Sequence, residues 1–155
     1  MSAATTTLIV EHTFAAPRAK VFEAWSHPEV LRRWWGAGSD WTSPAVDVDL
    51  RPGGSYRLSM ADPDAGAIYT VGGEFIEVDP PRRLVYTWAW ETPGSPTGGL
   101  TTLVTVEFQA DGDERTTVVL THAGFADDDQ RDQHEHGWRA CLANLVTRVF
   151  PEVTR

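Results

Sequence analysis

Acid–base, nucleophilic or metal chemistry in this chain would have to come from His122, His134, His136, Cys141 and a few carboxylates. His122 closes a run whose other inward residues should be Val118 and Leu120. It is either a half-buried imidazole bonded to nearby backbone, or a polar fixture of a cavity that orients a ligand or acts as acid or base. His134 falls four residues before Trp138, one helical turn away on the same side. It either projects toward a cavity's end or is a partly exposed first-turn residue. His134 and His136 are two apart and diverge by about 200° on a helix, so they cannot share an ion, and no other ligand cluster is apparent. No metal and no cofactor are therefore expected. Cys141 lies amid apolar residues and reads as a buried structural thiol. There is no Gly-x-Ser-x-Gly elbow, and Gly53-Gly54 lacks the Lys-Ser/Thr of a phosphate cradle. Glu74 and Glu77 would lie on opposite strand faces, and Glu107 is out of phase with Val104, Val106 and Phe108. No catalytic residue is assigned.

These side chains need elements to hold them. The dominant one is a C-terminal helix from about Asp127 to Phe150, with Trp138, Cys141, Leu142, Leu145, Val146 and Val149 at steps of three and four. Asp127 with Gln130 reads as a capping box, and Asp127, Asp128 and Asp129 suit the positive end of the dipole. Arg139 and Arg148 fall off the stripe and should face water. Pro151 stops the helix. Upstream, a strand spans about Thr6 to Phe14, and two short helices, starting at Ala16-Pro17 and after His27-Pro28, end at Gly36-Ala37-Gly38. Strands follow at about Ala45–Leu50, Ser55–Met60, Ile68–Val78, Leu84–Trp90, Thr101–Ala110 and Arg115–His122, with turn residues between them. Thr92 to Gly99 reads as a loop, and Asp111-Gly112-Asp113 as a hairpin turn. A long amphipathic helix needs a broad apolar face, and a curved sheet is the natural one. The fold class is thus α+β, with six to seven antiparallel strands wrapped around the last helix, and residues 1–155 form one domain.

Thirteen basic against twenty-two acidic side chains give a net charge of −9, which disfavours nucleic acid or an anionic membrane as partner. A single cysteine forms no internal disulfide, and the start MSAATTTLIVEH has neither a basic region nor a long apolar run. A cytoplasmic location is expected. Seven tryptophans in a chain of this length imply either a heavily aromatic core or an aromatic-lined cavity.

The order of several short motifs carries a resemblance. Ala16-Pro17 with Val21-Phe22 and Ala24-Trp25 is followed by Pro28 through Leu31 to Trp34-Trp35-Gly36. Then come Arg51-Pro52-Gly53-Gly54, Glu77-Val78-Asp79-Pro80-Pro81-Arg82-Arg83-Leu84, Thr121-His122-Ala123-Gly124-Phe125 and Gly137-Trp138. The chain resembles the activator-of-heat-shock-protein-ATPase homologue-like (AHSA-type) family of the START/birch-pollen-allergen (SRPBCC) superfamily, from about Thr6 to Phe150. The resemblance implies a helix-grip fold with a hydrophobic cavity between sheet and helix. It does not carry over the co-chaperone role, because the eukaryotic co-chaperone has an additional N-terminal domain. On this reading a small hydrophobic or aromatic molecule is bound by Trp35, Tyr69, Phe75, Trp88, His122, Trp138 and Leu142, with His122 as the polar contact. The alternatives are a cyclase or hydrolase using the same cavity and a protein-interaction module; a homodimer is compatible with any of them.

Overall fold

The computed structural model describes residues 6–91 and 101–151. The loop expected at Thr92 to Gly99 lies outside them. In chain order the elements are β1 (Thr6–Phe14), α1 (Arg18–Ser26), α2 (Pro28–Trp34), β2 (Val46–Val48), β3 (Ser55–Asp62), β4 (Ala67–Asp79), β5 (Arg83–Trp90), β6 (Thr102–Ala110), β7 (Thr116–Phe125) and α3 (Asp128–Arg148). The seven strands form one antiparallel sheet in the order β1-β7-β6-β5-β4-β3-β2. The first strand therefore pairs with the last, and the remaining pairs all join strands adjacent in sequence, which leaves β1 and β2 at opposite edges. This curved sheet wraps around α3, with α1 and α2 inserted after the first strand, which is the expected helix-grip arrangement.

Local chemistry accounts for the boundaries. Pro17 and Pro28 sit at the starts of α1 and α2, where a missing N–H costs nothing. Glu29 in the first turn of α2 and Arg32 and Arg33 in its last turn complement its dipole. At the start of α3 the Asp127 carboxylate accepts from the Gln130 N–H at 2.9 Å. The Gln130 side chain reaches back one residue further than in the usual capping box, and accepts from the Ala126 N–H at 3.0 Å.

Alternation sorts the strands into inner and outer faces. Leu8, Val10 and Phe14 of β1, Val104, Val106 and Phe108 of β6, and Val118, Leu120 and His122 of β7 all point inward and are buried. The register shifts between Thr6 and Thr7 at the start of β1, and again at a bulge between Phe75 and Glu77 of β4. The β4 bulge lets Val78 pack on the core while Ile76 stays exposed. On the outer face Arg83 stands between Glu77 and Glu107, at 3.6 and 3.7 Å.

The last turn of α3 departs from the expected water-facing arginine. Arg139 is exposed and pairs with Glu135, but Arg148 donates to the carbonyls of Arg33, Ser39 and Trp41. Arg33 returns the contact, donating to the Arg148 carbonyl at 2.6 Å. One turn earlier the buried Asn144 amide donates to the carbonyls of Gly36 at 3.0 Å and Gly38 at 2.9 Å. These carbonyls follow α2, where no helix continues to supply N–H groups. The loop from Trp35 to Trp41 is thus held down on α3 by two polar side chains. It is also compact in itself: a Cβ on Gly36 or Gly38 would come within 2.8 or 2.7 Å of the Trp41 side chain.

Candidate functional site

Where this loop, the first half of α3 and the nearby ends of β3, β4 and β5 meet, they border a half-open cavity of about 310 Å³. Trp35, Ala37 and Trp41 come from the loop, Met60, Tyr69, Trp88 and Trp90 from the sheet, and Gln133, His134, Gly137, Trp138 and Cys141 from α3. The helical contribution follows the three-and-four spacing from His134 through Gly137 and Trp138 to Cys141. Trp35, Trp88 and Trp138 form the inner wall, with ring centroids 5.2 to 5.7 Å apart and no more than 3% of each side chain's residue exposed. Trp41, stacked on Tyr69 at 6.1 Å, and Trp90, edge-on to Tyr69 at 6.4 Å, form the outer wall and are only half-buried. Among the described residues, no Asp, Glu, Lys or Arg side chain belongs to the lining.

Two histidines brace the aromatic wall. The Trp138 indole N–H donates to His122 Nδ1 at 3.0 Å. His122 Nε2 must then carry the proton, which it donates to Thr102 Oγ1 at 2.7 Å, and that hydroxyl donates to the Trp88 carbonyl at 3.3 Å. His134 uses the opposite tautomer. Its Nε2 accepts from the Trp90 indole at 2.9 Å, and its Nδ1–H donates to the Gln130 carbonyl at 2.7 Å. Burial lowers the pKa of both imidazoles; His122 falls well below the ordinary histidine value, helped by the proximity of His134. Both are neutral hydrogen-bonding posts with no nitrogen to spare. Burial likewise pushes the Cys141 thiol up to about 12, which leaves it un-ionised at neutral pH.

Of the residues expected at the site, Trp35, Tyr69, Trp88 and Trp138 stand together in the cavity wall. Phe75, His122 and Leu142 stand elsewhere. Phe75 shares an inward face with Tyr69 but is six residues further along β4, about 20 Å at ~3.3 Å per residue, so one small cavity cannot touch both. It lines a second space of about 20 Å³ with Tyr56 and Tyr86. His122 does point inward, but it is fully buried and bonded to the Trp138 indole rather than exposed to the cavity. Leu142 is one residue, about 100°, around the helix from Cys141 and belongs to the core.

Trp41, Met60, Trp90, Gly137 and Cys141 also line the cavity without having been singled out for it, and so does His134, for which a place at a cavity's end was one of two readings. For Trp90 the signal was present, because it shares the inward face of β5 with Trp88. Trp41 lies in a loop, where no periodicity assigns a direction. Among the described residues no group of three or more His, Cys, Asp or Glu side chains is placed to hold a metal ion. No helix among them is long and apolar enough to cross a membrane.

A sequence model described as "Activator of Hsp90 ATPase homolog 1-like protein" matches residues 15–149. No functionally curated protein matches the chain significantly in sequence. An uncharacterized protein from Rhizobium leguminosarum is similar at 31% identity and a TM-score of 0.72, over 95% of this chain and 98% of that one. The AHSA1 protein from Silicibacter pomeroyi is similar at 27% identity and a TM-score of 0.78, over 92% of this chain and 96% of that one. A protein from Chromobacterium violaceum shares the fold, with a TM-score of 0.81 at 22% identity, over 94% of this chain and 98% of that one.

Proposed function

The chain belongs to the Activator of Hsp90 ATPase homolog 1-like family, and from that membership together with the geometry we propose that it binds a small apolar or aromatic molecule between the sheet and α3. The observation that carries this reading is Gly137. A glycine in a helix interior costs about 1 kcal/mol relative to alanine. Nothing lies within 4 Å of where its Cβ would be, so no close contact demands a glycine there. The open space beside it is the cavity. Volume is thereby kept free at some cost to the helix, in a wall whose described residues offer aromatic faces and no charge.

The ligand-binding residues on this reading are Trp35, Tyr69, Trp88 and Trp138, joined by Trp41, Trp90 and Gly137. His122 acts on the ligand only through Trp138, by fixing the plane of its ring. The engagement of both imidazoles and the un-ionised thiol support a binding protein over a cyclase or hydrolase, because each group suited to acid–base or nucleophilic work is already committed.

Titration with N-phenyl-1-naphthylamine, a neutral fluorescent aromatic probe, tests the proposal. The unmodified chain should bind it saturably at micromolar concentration, with quenching of tryptophan emission. Gly137→Phe should fill the cavity and weaken binding at least tenfold while the chain stays folded by circular dichroism. Equal binding by the two proteins would place the probe elsewhere and remove the basis of the reading.

A further inference from the structure

Polar groups are unevenly placed along the depth of the cavity. At its inner end the Trp138 indole N–H is taken by His122, and the indole nitrogens of Trp35 and Trp88 present essentially no accessible surface. Met60 and Cys141, both buried, offer only sulfur, a weak hydrogen-bonding atom. Both nitrogens of His134 are engaged, one of them by the Trp90 indole. The other polar side chains of the lining are Trp41, Tyr69 and Gln133. All three stand at the outer end, Trp41 and Tyr69 half-buried and Gln133 exposed. Among the described residues, the inner wall therefore has no side chain to offer a polar group, whereas the outer end is open to water. A hydroxyl, carbonyl or amide pushed against the inner wall loses its water and gains no partner, which costs binding. The same group left at the outer end keeps its hydrogen bonds, to water or to the protein.

Resting on the cavity reading above, we propose that the bound molecule is an aromatic compound whose polar group lies at one end only. It is seated apolar end first against Trp35, Trp88 and Trp138, with the polar end beside Tyr69 and Gln133. The volume of about 310 Å³ is near the lower end of the roughly 300–1,000 Å³ of small-molecule pockets, so one or two rings fill it. Selection is then by the position of polar groups rather than by their number. Two hydroxyls side by side are accepted, and the same two at opposite ends are refused. Because the cavity is half-open, the ring is covered while the functional group stays presented to the outside.

Three naphthalenes of similar size separate position from polarity. They are 6-methyl-2-naphthol, naphthalene-2,6-diol, in which a hydroxyl replaces the distal methyl, and naphthalene-2,3-diol, with both hydroxyls at one end. Affinities come from displacement of N-phenyl-1-naphthylamine from the unmodified chain. The methyl compound and the 2,3-diol should each bind at least tenfold more tightly than the 2,6-diol, the effect of one hydroxyl buried without a partner. Intermolecular nuclear Overhauser effects should connect the methyl group of bound 6-methyl-2-naphthol with ring protons of Trp88 and Trp138, and not with those of Tyr69. Diols of equal affinity, or a methyl group found beside Tyr69, overturn the orientation and leave the cavity reading standing. A methyl compound that binds as weakly as the 2,6-diol also overturns it, because length rather than polarity would then decide. Failure of all three and of N-phenyl-1-naphthylamine to bind overturns both.

Discussion

Two imidazoles of opposite tautomer lie 5.4 Å apart between β7 and α3, and each receives an indole N–H from the cavity wall. Protonating either one would turn that acceptor into a donor facing a donor, in surroundings that already disfavour charge. Both pKa values are lowered on folding, so as pH falls the unfolded chain takes up protons that the folded chain refuses. Their stabilising contribution is complete above about pH 6.5 and declines below it, by up to about 1.4 kcal/mol per pH unit for each histidine. His122→Asn keeps an amide oxygen for the Trp138 indole but does not titrate. It should remove its share of the slope when urea unfolding is measured between pH 7.5 and 5.5; an unchanged slope would mean that His122 is not buried as a neutral base. Strand alternation already turned His122 inward. Its role was not legible, because its partners Thr102, Trp138 and Trp88 come from three different elements.

At the scale of elements, α3 does more than cover the sheet. One side supplies the cavity wall, the stripe through Leu142 and Leu145 supplies core, and Asn144 and Arg148 tether the loop after α2. Periodicity made the helix, its cap and its apolar stripe legible. It could not distinguish a polar residue facing water from one facing carbonyls, so Asn144 went unremarked and Arg148 was expected in solvent. Replacing Asn144 with alanine leaves the Gly36 and Gly38 carbonyls without their amide partner, at a cost of about 1–3 kcal/mol. The variant should show that loss in chemical denaturation and a matching rise in amide hydrogen exchange around residues 35–41. A loss of stability with no change in exchange there would mean that the amide does not restrain the loop. The bulge at Phe75 and the reach along β4 that separates Phe75 from Tyr69 were illegible for a related reason: alternation reports which face a residue is on, and says nothing of depth.

For the molecule as a whole, the order of elements was legible almost throughout, because proline and glycine marked each break and β-branched residues filled the runs between. The tryptophans add a constraint that order alone does not express. Contacts run from Trp25 to Trp34, from Trp34 to Trp35 and from Trp35 to both Trp88 and Trp138, linking α1, α2, the sheet and α3 in one aromatic series. No element can leave without stripping neighbours of ring contacts, so near-ultraviolet and far-ultraviolet circular dichroism should melt together. An early near-ultraviolet transition would instead mark the cavity end as a separately opening unit. The tether between α3 and the loop of residues 35–41 has a further effect, on the shape of the cavity. Trp35, Ala37 and Trp41 reach its lining on a loop that cannot shift without breaking the Asn144 and Arg148 bonds. That part of the wall is thus pre-organised by the fold itself.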